Sequence, residues 1–586
     1  MSFIDDASLA ATPSARRLIE HRIASRLAAQ DASIYSFSQQ AQACAEKRMG
    51  WTRLASDPPV DPAEIMVIAQ QARGEKLDAV VLIGQGGSAQ AAQTITKLHS
   101  LEVTDEVPFR TMDSLSPVYV NHILGSSDPA HTIYIVASKS GTTLEPTILS
   151  HVAWKYVCAH LGKERAGSRF IAITDPGSEL DRTARENGWR TVFHGTPEVG
   201  GRYSALSVFG LLPMATVGID VAGSLAAAVP MERKCASDSA ENPAILLASF
   251  LYENLLAGRD KFSLLMPPRN QVFGLWVEQL VAESLGKCGA GILPNVEIDP
   301  GILSDPHTDR CAIVCNMNND QAFEHARTCL HPDIPVFRLD IPDSSAMMRY
   351  FLIWEYAVAM CGWLMDINPF DQPDVESTKR AAKQILFGGI DTFDAPLDAQ
   401  GRTAYQSFEL DCLYADRMCI SSALLDVLPD GLSLDTGTAL RALFHSIEPG
   451  DYFSLNAFLP FKGVGRRETL ERVRHRVADR LKACACLEIG PRYLHSTGQL
   501  HKGGPDTGVF LIVSSTEPYD ISVPNESFTL GDAADAEALG DFSALASRGR
   551  RVVYIHLRDN DSEFLSLLAD DACSAISAAY AMRSIE

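Results

Sequence analysis

From Asp78 onward the chain alternates short, continuously apolar runs with longer amphipathic stretches. The apolar runs at 79–83, 132–137, 170–174 and 190–193 have the length of buried strands, and helical patterns lie between them. Fully apolar strands separated by helices are typical of a parallel sheet covered by helices on both faces. The pattern therefore predicts an α/β protein with doubly wound parallel sheets.

The pattern changes on both sides of this region. Residues 1–77 are rich in alanine with helical periodicity, broken at Pro58-Pro59 and at Gly74. A second series of strands and helices begins near Glu241. Its predicted strands lie at 261–266, 312–315 and 336–339, and two helices at 344–365 and 375–385 close it.

The length of 586 residues exceeds what one hydrophobic core serves, so several domains are expected. Gly388-Gly389 and the Asp/Pro-rich stretch to Pro396 are typical of a linker. The predicted domains are 1–235 (a helical N-terminus and a first α/β domain), 236–395 (a second α/β domain) and 396–586 (a C-terminal α/β domain).

A short pattern recurs in the C-terminal domain. The residues D-x-F-S-L stand at 260–264 and again at 451–455, each at the start of a predicted strand. A long helix and another strand follow in both places. This recurrence suggests an internal duplication, in which the tail is a third related unit.

A hydroxyl-rich hexapeptide follows the strand at 132–137 and precedes a helical stretch at 144–160. Its sequence is Ser138-Lys139-Ser140-Gly141-Thr142-Thr143. Hydroxyls and the free amide groups of a starting helix favour a phosphate group at this place. A nucleotide-binding Walker loop does not match. The alternative is an ordinary Ser/Thr N-cap, but four hydroxyls exceed what one cap needs.

A glycine turn, Gly84-Gln85-Gly86-Gly87-Ser88, ends the first strand. Ala89 occupies the place of the last glycine of a dinucleotide fingerprint, so that motif is not supported. The turn is either a tight loop that needs glycine dihedrals or the opposite wall of a phosphate pocket. In the second case Gly87 and Ser88 bind substrate beside the hexapeptide.

Charge and cysteine content exclude several classes of function. The net charge of −22 argues against nucleic acid as a partner. Thirteen cysteines without any C-x-x-C pair predict buried thiols in a reducing cytoplasm and no metal site. The N-terminus around Asp5 predicts no signal peptide. The apolar stretch at 350–365 contains Glu355, so it predicts a core helix and no membrane association.

The hexapeptide and the glycine turn together resemble the sugar isomerase domain, a doubly wound fold that holds phosphosugars. Three further segments resemble the glucose-6-phosphate isomerase family: G-G-R-Y-S at 200–204, E-S-L-G-K at 283–287 and N-P-F-D-Q-P-D-V-E-S-T-K at 368–379. The resemblance implies that Glu283 is the catalytic base and that Arg202 stabilises an enediolate. It also implies that Lys379 assists at the sugar ring and that Gln372 lies at the site.

Physical chemistry agrees with these roles, because aldose–ketose exchange moves one proton and leaves charge on an oxygen. A partly buried carboxylate suits the proton transfer and a fixed guanidinium suits the oxyanion. Neither role needs a cofactor or a metal. The alternatives are structural: Glu283 as the partner of Lys287 at i,i+4, and Arg202 as an ion-pair partner. Lys379 would then be solvated and Gln372 a turn cap, while Glu376 is expected to be a helix-start charge.

Ring opening calls for a group that moves a proton at neutral pH, and histidine is suited to it. The family's H-x-x-x-Q-L-x-x-x-G pattern matches residues 495–504, far beyond the place where the family carries it. We therefore expect His495 to open the ring. His501 is the close alternative, and His307 is the only histidine near the family's usual position.

The tail also resembles the isomerase portion of bifunctional transaldolase/glucose-6-phosphate isomerase proteins, especially at 490–505. Only about eighty residues precede Gly84, so we do not expect a transaldolase barrel. The predicted reaction is the interconversion of glucose 6-phosphate and fructose 6-phosphate. The alternatives are isomerisation of a mannose, heptose or amino-sugar phosphate, and phosphosugar sensing without turnover. The family resemblance implies a homodimer. The alternative is that the C-terminal tail replaces, within one chain, the residues that a neighbouring subunit would otherwise contribute to the site.

Overall fold

The computed structural model describes residues 5–103, 107–297, 299–388, 395–428, 433–460 and 465–583. Contacts divide the chain into two compact units. The first unit comprises Met1–Asp113, Ile123–Gln372 and His495–Thr497. The second unit comprises Ser114–His122, Pro373–Leu494 and Gly498–Glu586. A short segment around His495 therefore belongs to the first unit, although it lies far along the chain.

The N-terminal region is helical, as predicted. Side chains cap most of these helices, for example Thr12 and Asp61, each followed by a proline in the first turn. The helices are α1 (Asp6–Ala10), α2 (Pro13–Glu20), α3 (Ile23–Ala28), α4 (Gln39–Ala45) and α5 (Pro62–Arg73).

The first sheet has five strands, all parallel, in the order β2-β1-β3-β4-β5. Its strands are β1 (Ala79–Gly84), β2 (Phe109–Met112), β3 (Thr132–Ala137), β4 (Phe170–Thr174) and β5 (Thr191–His194). Its helices are α6 (Gln90–Ser100), α8 (Leu144–Leu161), α9 (Lys163–Gly167), α10 (Glu179–Glu186), α11 (Val208–Thr216) and α12 (Val221–Cys235). Between α6 and α8 in the chain lies α7 (Pro117–Leu124), whose residues up to His122 belong to the second unit. Both β1 and β3 are fully buried, which explains their continuous apolar runs.

The second sheet, also in the first unit, has four parallel strands in the order β7-β6-β8-β9. Its strands are β6 (Lys261–Leu265), β7 (Leu293–Glu297), β8 (Arg310–Met317) and β9 (Val336–Ile341). Its helices are α13 (Pro243–Leu256), α14 (Gln271–Leu285), α15 (Gln321–Ala326) and α16 (Met347–Leu364). Helix α16 is buried along nearly its whole length, as expected of a core helix.

The third sheet belongs to the second unit and has the order β10-β11-β15-β14-β12-β13. Its strands are β10 (Tyr405–Glu409), β11 (Ala415–Ser421), β12 (Tyr452–Phe458), β13 (Cys484–Ile489), β14 (Gly508–Ser515) and β15 (Arg551–Leu557). Its helices are α17 (Val375–Gly388), α18 (Ser422–Leu425), α19 (Thr436–His445), α20 (Arg466–Leu481), α21 (Gly498–Gly503), α22 (Leu530–Ala546) and α23 (Ser562–Arg583). The pairs β10–β11 and β11–β15 are antiparallel, which the sequence did not predict.

The three sheets share one connection pattern. The orders β2-β1-β3-β4, β7-β6-β8-β9 and β13-β12-β14-β15 each place the first strand second and continue outward from it. The two D-x-F-S-L segments occupy equivalent places, because both open the first strand of their series, β6 and β12. This equivalence supports a duplication, and the relatedness of the tail stays a prediction.

The predicted α/β architecture with parallel sheets is confirmed. The sequence missed β2 and β7, and it assigned α17 to the second domain. The contacts group α17 with the C-terminal residues of the second compact unit, where it packs against α22 and Ala382 meets Gly540. The core of the predicted linker, residues 389–394, lies outside the described residues. The three-domain division itself stays a prediction.

None of the helices in the described ranges combines the length and the apolar character needed to cross a membrane.

Candidate active site

The hydroxyl-rich hexapeptide lies between β3 and α8, as predicted. Thr143 precedes the first turn of α8, but its side chain makes no capping hydrogen bond, so the simple N-cap interpretation is wrong. Ser138 is buried, and its Oγ atom has no hydrogen-bond partner among the described residues. Thr142 donates its amide and hydroxyl to Ser140 Oγ at 3.3 and 3.1 Å. The loop thus presents polar groups that the helix does not use.

Lys139 has a different role from its neighbours. Its Nζ atom lies 2.8 Å from an oxygen of Asp175 and 3.1 Å from the carbonyl oxygen of Thr196, to which it donates. The side chain therefore ties the loop to the end of β4. A phosphate at this loop would be met by hydroxyls and amides rather than by this ammonium group.

The glycine turn after β1 is packed against three other segments of the first unit. A Cβ atom at Gly86, which has a φ of 51°, would lie 2.9 Å from both Gln279 Nε2 and His495 Cβ. A Cβ atom at Gly87 would lie only 2.1 Å from the carbonyl carbon of Gly201. Only glycine permits these approaches. Ser88 follows directly at the end of this turn.

Glu283 and Arg202 form an ion pair, with Oε1 and Nη1 separated by 3.1 Å. Glu283 lies in the last turn of α14 and Arg202 follows the Gly200-Gly201 turn. The other carboxylate oxygen of Glu283 accepts a hydrogen bond from Gln279 Nε2 at 3.2 Å. The side chains of Glu283 and Arg202 are 13% and 4% exposed, so the ion pair is largely shielded from solvent but stays partly accessible. The alternative pairing of Glu283 with Lys287 is wrong.

The guanidinium of Arg202 is fixed on all sides. Its Nε donates to Ser284 Oγ at 2.8 Å, and its Nη2 donates to the carbonyl oxygens of Pro369 and Asp371 at 2.7 and 2.8 Å. The Nη1 group donates to Gln372 Oε1 at 3.1 Å. Gln372 thus lies beside the Glu283–Arg202 pair. The ion pair agrees both with a catalytic Arg202 and with the alternative of a structural ion-pair partner, so its role stays a prediction.

Lys287 anchors the loop that holds Arg202. Its Nζ atom donates to the carbonyl oxygens of Asn368 and Asp371 at 2.8 and 2.6 Å, and to Asp371 Oδ1 at 2.9 Å. Burial, followed by repulsion from Arg202, lowers the pKa of Lys287 to about 8. Sequence reasoning assigned Lys287 no role beyond a helix pair with Glu283, since its partners lie more than eighty residues away.

His495 lies in the first unit and contacts an acidic side chain. Its Nε2 atom is 2.6 Å from Oε1 of Glu145, which is buried in the first turn of α8. Glu145 was missed by the sequence analysis. The available sequence signal was the position of Glu145, two residues after Thr143. An acidic residue in the first turn of a helix is equally typical of a helix-start charge, so this signal does not identify a functional residue.

The other two histidines make different contacts. His501 is completely buried in the second unit among Tyr452, Tyr493 and Phe510, and neither ring nitrogen has a partner among the described residues. Burial lowers its pKa well below the usual value, so it is neutral and closed to solvent. His307 contacts the carbonyl oxygen of Ile302 at 3.2 Å. These placements favour His495 over both.

Lys379 lies in α17, in the second unit. Its Nζ atom pairs with Glu376 at 2.9 Å, and both side chains are about half exposed. Glu376 stands in the first turn of the helix, as expected of a helix-start charge. The Lys379 ammonium group is therefore open to solvent on one side.

A continuous set of contacts joins the main candidates within the first unit. The hydroxyl-rich loop leads to Glu145, which contacts His495, and His495 packs against Gly86. Gly86 also lies close to Gln279, which donates to Glu283. The hydroxyl-rich loop, a His–Glu pair and a Glu–Arg pair thus meet at one edge of a doubly wound sheet, where ligands of such folds bind. The fold and this arrangement define a protein of the sugar isomerase class.

Comparisons with known proteins agree. The phosphoglucose isomerase family matches residues 69–300. Glucose-6-phosphate isomerase of Acholeplasma laidlawii is 30% identical over 53% of this chain and 84% of its own length. The enzyme of Prochlorococcus marinus is 30% identical over 53% of this chain and 67% of its own length. The chain belongs to the glucose-6-phosphate isomerase family.

Solved structures show the same fold. A hypothetical protein of Thermus thermophilus matches 63% of this chain and 95% of its own, with a TM-score of 0.54 and 23% identity. A glucose-6-phosphate isomerase of Chlamydia trachomatis matches 66% of this chain and 87% of its own, with a TM-score of 0.52 and 19% identity.

The close approach at Gly87 gives a first test. We expect Gly87→Ala to lower the free energy of unfolding by about 1–3 kcal/mol, the usual range for overpacking. Gly200→Ala is the matched control, since its nearest atom would be 3.9 Å away and its φ is −69°. Thermal melting of both variants measures the difference. Equal melting temperatures would contradict the packing argument.

The lowered pKa of Lys287 gives a second test. Its ammonium is present below pH 8 and lost above it, which would loosen the loop that holds Arg202. We expect catalytic turnover to fall with a midpoint near pH 8. Lys287→Arg keeps its charge and should extend the profile upward, whereas Lys287→Met should be slow without this alkaline limb. The same limb in all three proteins would exclude Lys287 as its source.

Proposed function

We propose that this protein interconverts glucose 6-phosphate and fructose 6-phosphate through an enediol. The observation that carries the proposal is the shielded Glu283–Arg202 pair, 3.1 Å apart, linked through Gln279 and Gly86 to His495. These contacts supply a proton acceptor, a fixed positive charge and an acid–base histidine around one turn.

The phosphate group would be held by Ser138, Ser140, Thr142 and Thr143 together with the amides of the starting α8, with Gly87 and Ser88 alongside. A phosphate carries about −1.5 to −2 charges at neutral pH. Each hydrogen bond to a charged group contributes roughly 1.5–3 kcal/mol. Several such bonds offset the unfavourable field of a chain with a net charge of −22. Lys139 would contribute its amide, because its side chain is paired with Asp175.

Ring opening would be the task of His495. The reaction moves a proton between the ring oxygen and the anomeric hydroxyl, which suits an imidazole near neutral pH. Glu145, with Oε1 2.6 Å from Nε2, holds the imidazole ring in one orientation. Because Glu145 follows the phosphate loop by two residues, the anchored phosphate and the imidazole are positioned by the same helix end.

Isomerisation would be the task of Glu283. Its carboxylate takes the proton from carbon 2 of the open aldose and returns it to carbon 1, while the hydroxyl proton of oxygen 2 passes to oxygen 1. The ketose reacts by the same steps in reverse. Between the two proton transfers, negative charge accumulates on an oxygen of the enediolate. Arg202 donates to that oxygen from a position already fixed by Ser284 and two carbonyl groups, so little reorganisation is needed.

Three further assignments complete the proposal. Assistance by Lys379 at the sugar ring rests on the resemblance of residues 368–379 to the family's motif. A cytoplasmic location is supported by thirteen cysteines that are all free thiols. A homodimer is supported by the family resemblance.

An enzymatic assay tests the base. Glu283→Gln should lower turnover of fructose 6-phosphate by about 10²–10⁴-fold, the usual contribution of a general base, with binding nearly unchanged. Glu563→Gln, at an exposed carboxylate in the first turn of α23, is the control and should keep the normal rate. Coupled detection of glucose 6-phosphate measures both, and near-normal turnover by Glu283→Gln would falsify the assignment. Faster turnover of mannose 6-phosphate than of fructose 6-phosphate would instead identify a mannose phosphate as the substrate.

Anomerisation separates the two catalytic tasks. Exchange between the α and β anomers of glucose 6-phosphate needs ring opening and closure, but no proton transfer at carbon 2. We expect Glu283→Gln to retain enzyme-catalysed anomer exchange and His495→Asn to lose both exchange and isomerisation. NMR exchange spectroscopy follows the anomers directly. Full anomer exchange in His495→Asn would remove this histidine from ring opening.

A further inference from the structure

A cavity of about 390 Å³ lies in the second unit, at the carboxyl ends of β12, β13 and β14 and beside the start of α22. None of the residues discussed above as catalytic lines it. The lining consists of short loops that follow the strands, together with the segment before α7. Among the lining residues are Phe458, Ser515, Glu517, Tyr519 and Asp535.

The cavity occupies a position where this kind of sheet binds ligands. In the order β13-β12-β14-β15 the strands are added first on one side of β12 and then on the other, so the strand order reverses between the parallel strands β12 and β14. The crevice outside the carboxyl ends of two such strands is the usual ligand site. In the first sheet the equivalent strands are β1 and β3, which carry the glycine turn and the hydroxyl-rich loop. The third sheet thus has a crevice equivalent to the predicted substrate site of the first.

The chemistry of this crevice is the opposite of a phosphate site. Four carboxylic residues line it, and none of its described lining residues is Lys or Arg. The start of α22 is also occupied, because Asp520 accepts the amide of Gly531 at 3.0 Å and Asp532 accepts the amide of Thr529 at 2.9 Å. A phosphate would meet these carboxyl groups with no Lys or Arg in the described lining to balance its charge.

Hydrogen-bonding capacity nevertheless remains in the cavity. Ser515 at the end of β14 is only 8% exposed, and its Oγ atom has no partner in the described part of the chain. The carboxylate of Glu517 accepts the amide of Val118 at 2.9 Å, which fixes it in the wall. Asp535 lies 3.7 Å from His556 Nδ1. Desolvation raises the pKa of both Glu517 and Asp535. A buried hydroxyl without a partner points to a ligand that supplies one.

We propose that this cavity is a second binding site, which takes an uncharged polyhydroxylated molecule, a free sugar or sugar alcohol without phosphate. Fixed carboxylates accept hydrogen bonds from pairs of ligand hydroxyls, and Ser515 supplies or accepts another. Phe458 and Tyr519 offer apolar faces to the carbon skeleton. The absence of basic groups in the described lining excludes the phosphorylated form, so the two sites of the chain distinguish free from phosphorylated sugars.

Isothermal titration of the full chain with D-glucose, D-fructose and D-glucitol tests the proposal. At least one of them should bind one-to-one, with the same affinity in an excess of glucose 6-phosphate. Asp535→Asn and Ser515→Val should each weaken binding at least tenfold. Asp570→Asn, an exposed partner of Arg472 outside the cavity, is the matched control and should bind normally.

Four results would overturn the proposal. The first is that none of the three probes binds. The second is that glucose 6-phosphate displaces the bound probe, which would place it in the catalytic site instead. The third is unchanged affinity in both cavity variants while their melting temperatures match that of the unaltered chain. The fourth is tighter binding of putrescine than of every sugar probe, which would identify the ligand of this cavity as an amine.

Discussion

The site depends on one close packing contact, the approach of the Gly86-Gly87 turn to its neighbours. A side chain at Gly87 would collide with the backbone of Gly201, and one at Gly86 would collide with His495 and Gln279. Because both positions lack a Cβ atom, the end of β1 reaches the turn that carries Arg202 and the segment that carries His495. The proposed proton transfers all take place around this turn.

Electrostatics explains why so many contacts surround one arginine. A guanidinium that must meet an oxyanion without rearrangement has to be held before substrate arrives. Ser284 and the carbonyl groups of the 368–371 loop hold Arg202, and Lys287 holds that loop in turn. The acidic surface of the chain makes such local, fixed donors necessary, because the overall field repels a phosphosugar.

Sequence reasoning was most successful where the physics is local. The buried strands, the hexapeptide and the glycine turn were predictable because hydrophobic runs and helix starts depend on neighbouring residues. Glu145 and the loop-anchoring role of Lys287 were not, since their partners are distant in the chain. An i,i+4 pair with Glu283 was the only local role that the sequence offered Lys287. The place of α17 was also missed, because an amphipathic helix does not indicate which neighbour covers it.

A crystal structure of the Glu283→Gln variant with fructose 6-phosphate tests the central claim most directly. We predict that the phosphate lies on the loop at 138–143 and that carbons 1 and 2 of the sugar lie within contact distance of residue 283. His495 should then lie beside the ring oxygen. A sugar bound with its phosphate elsewhere, or with residue 283 out of reach of both carbons, would contradict the account.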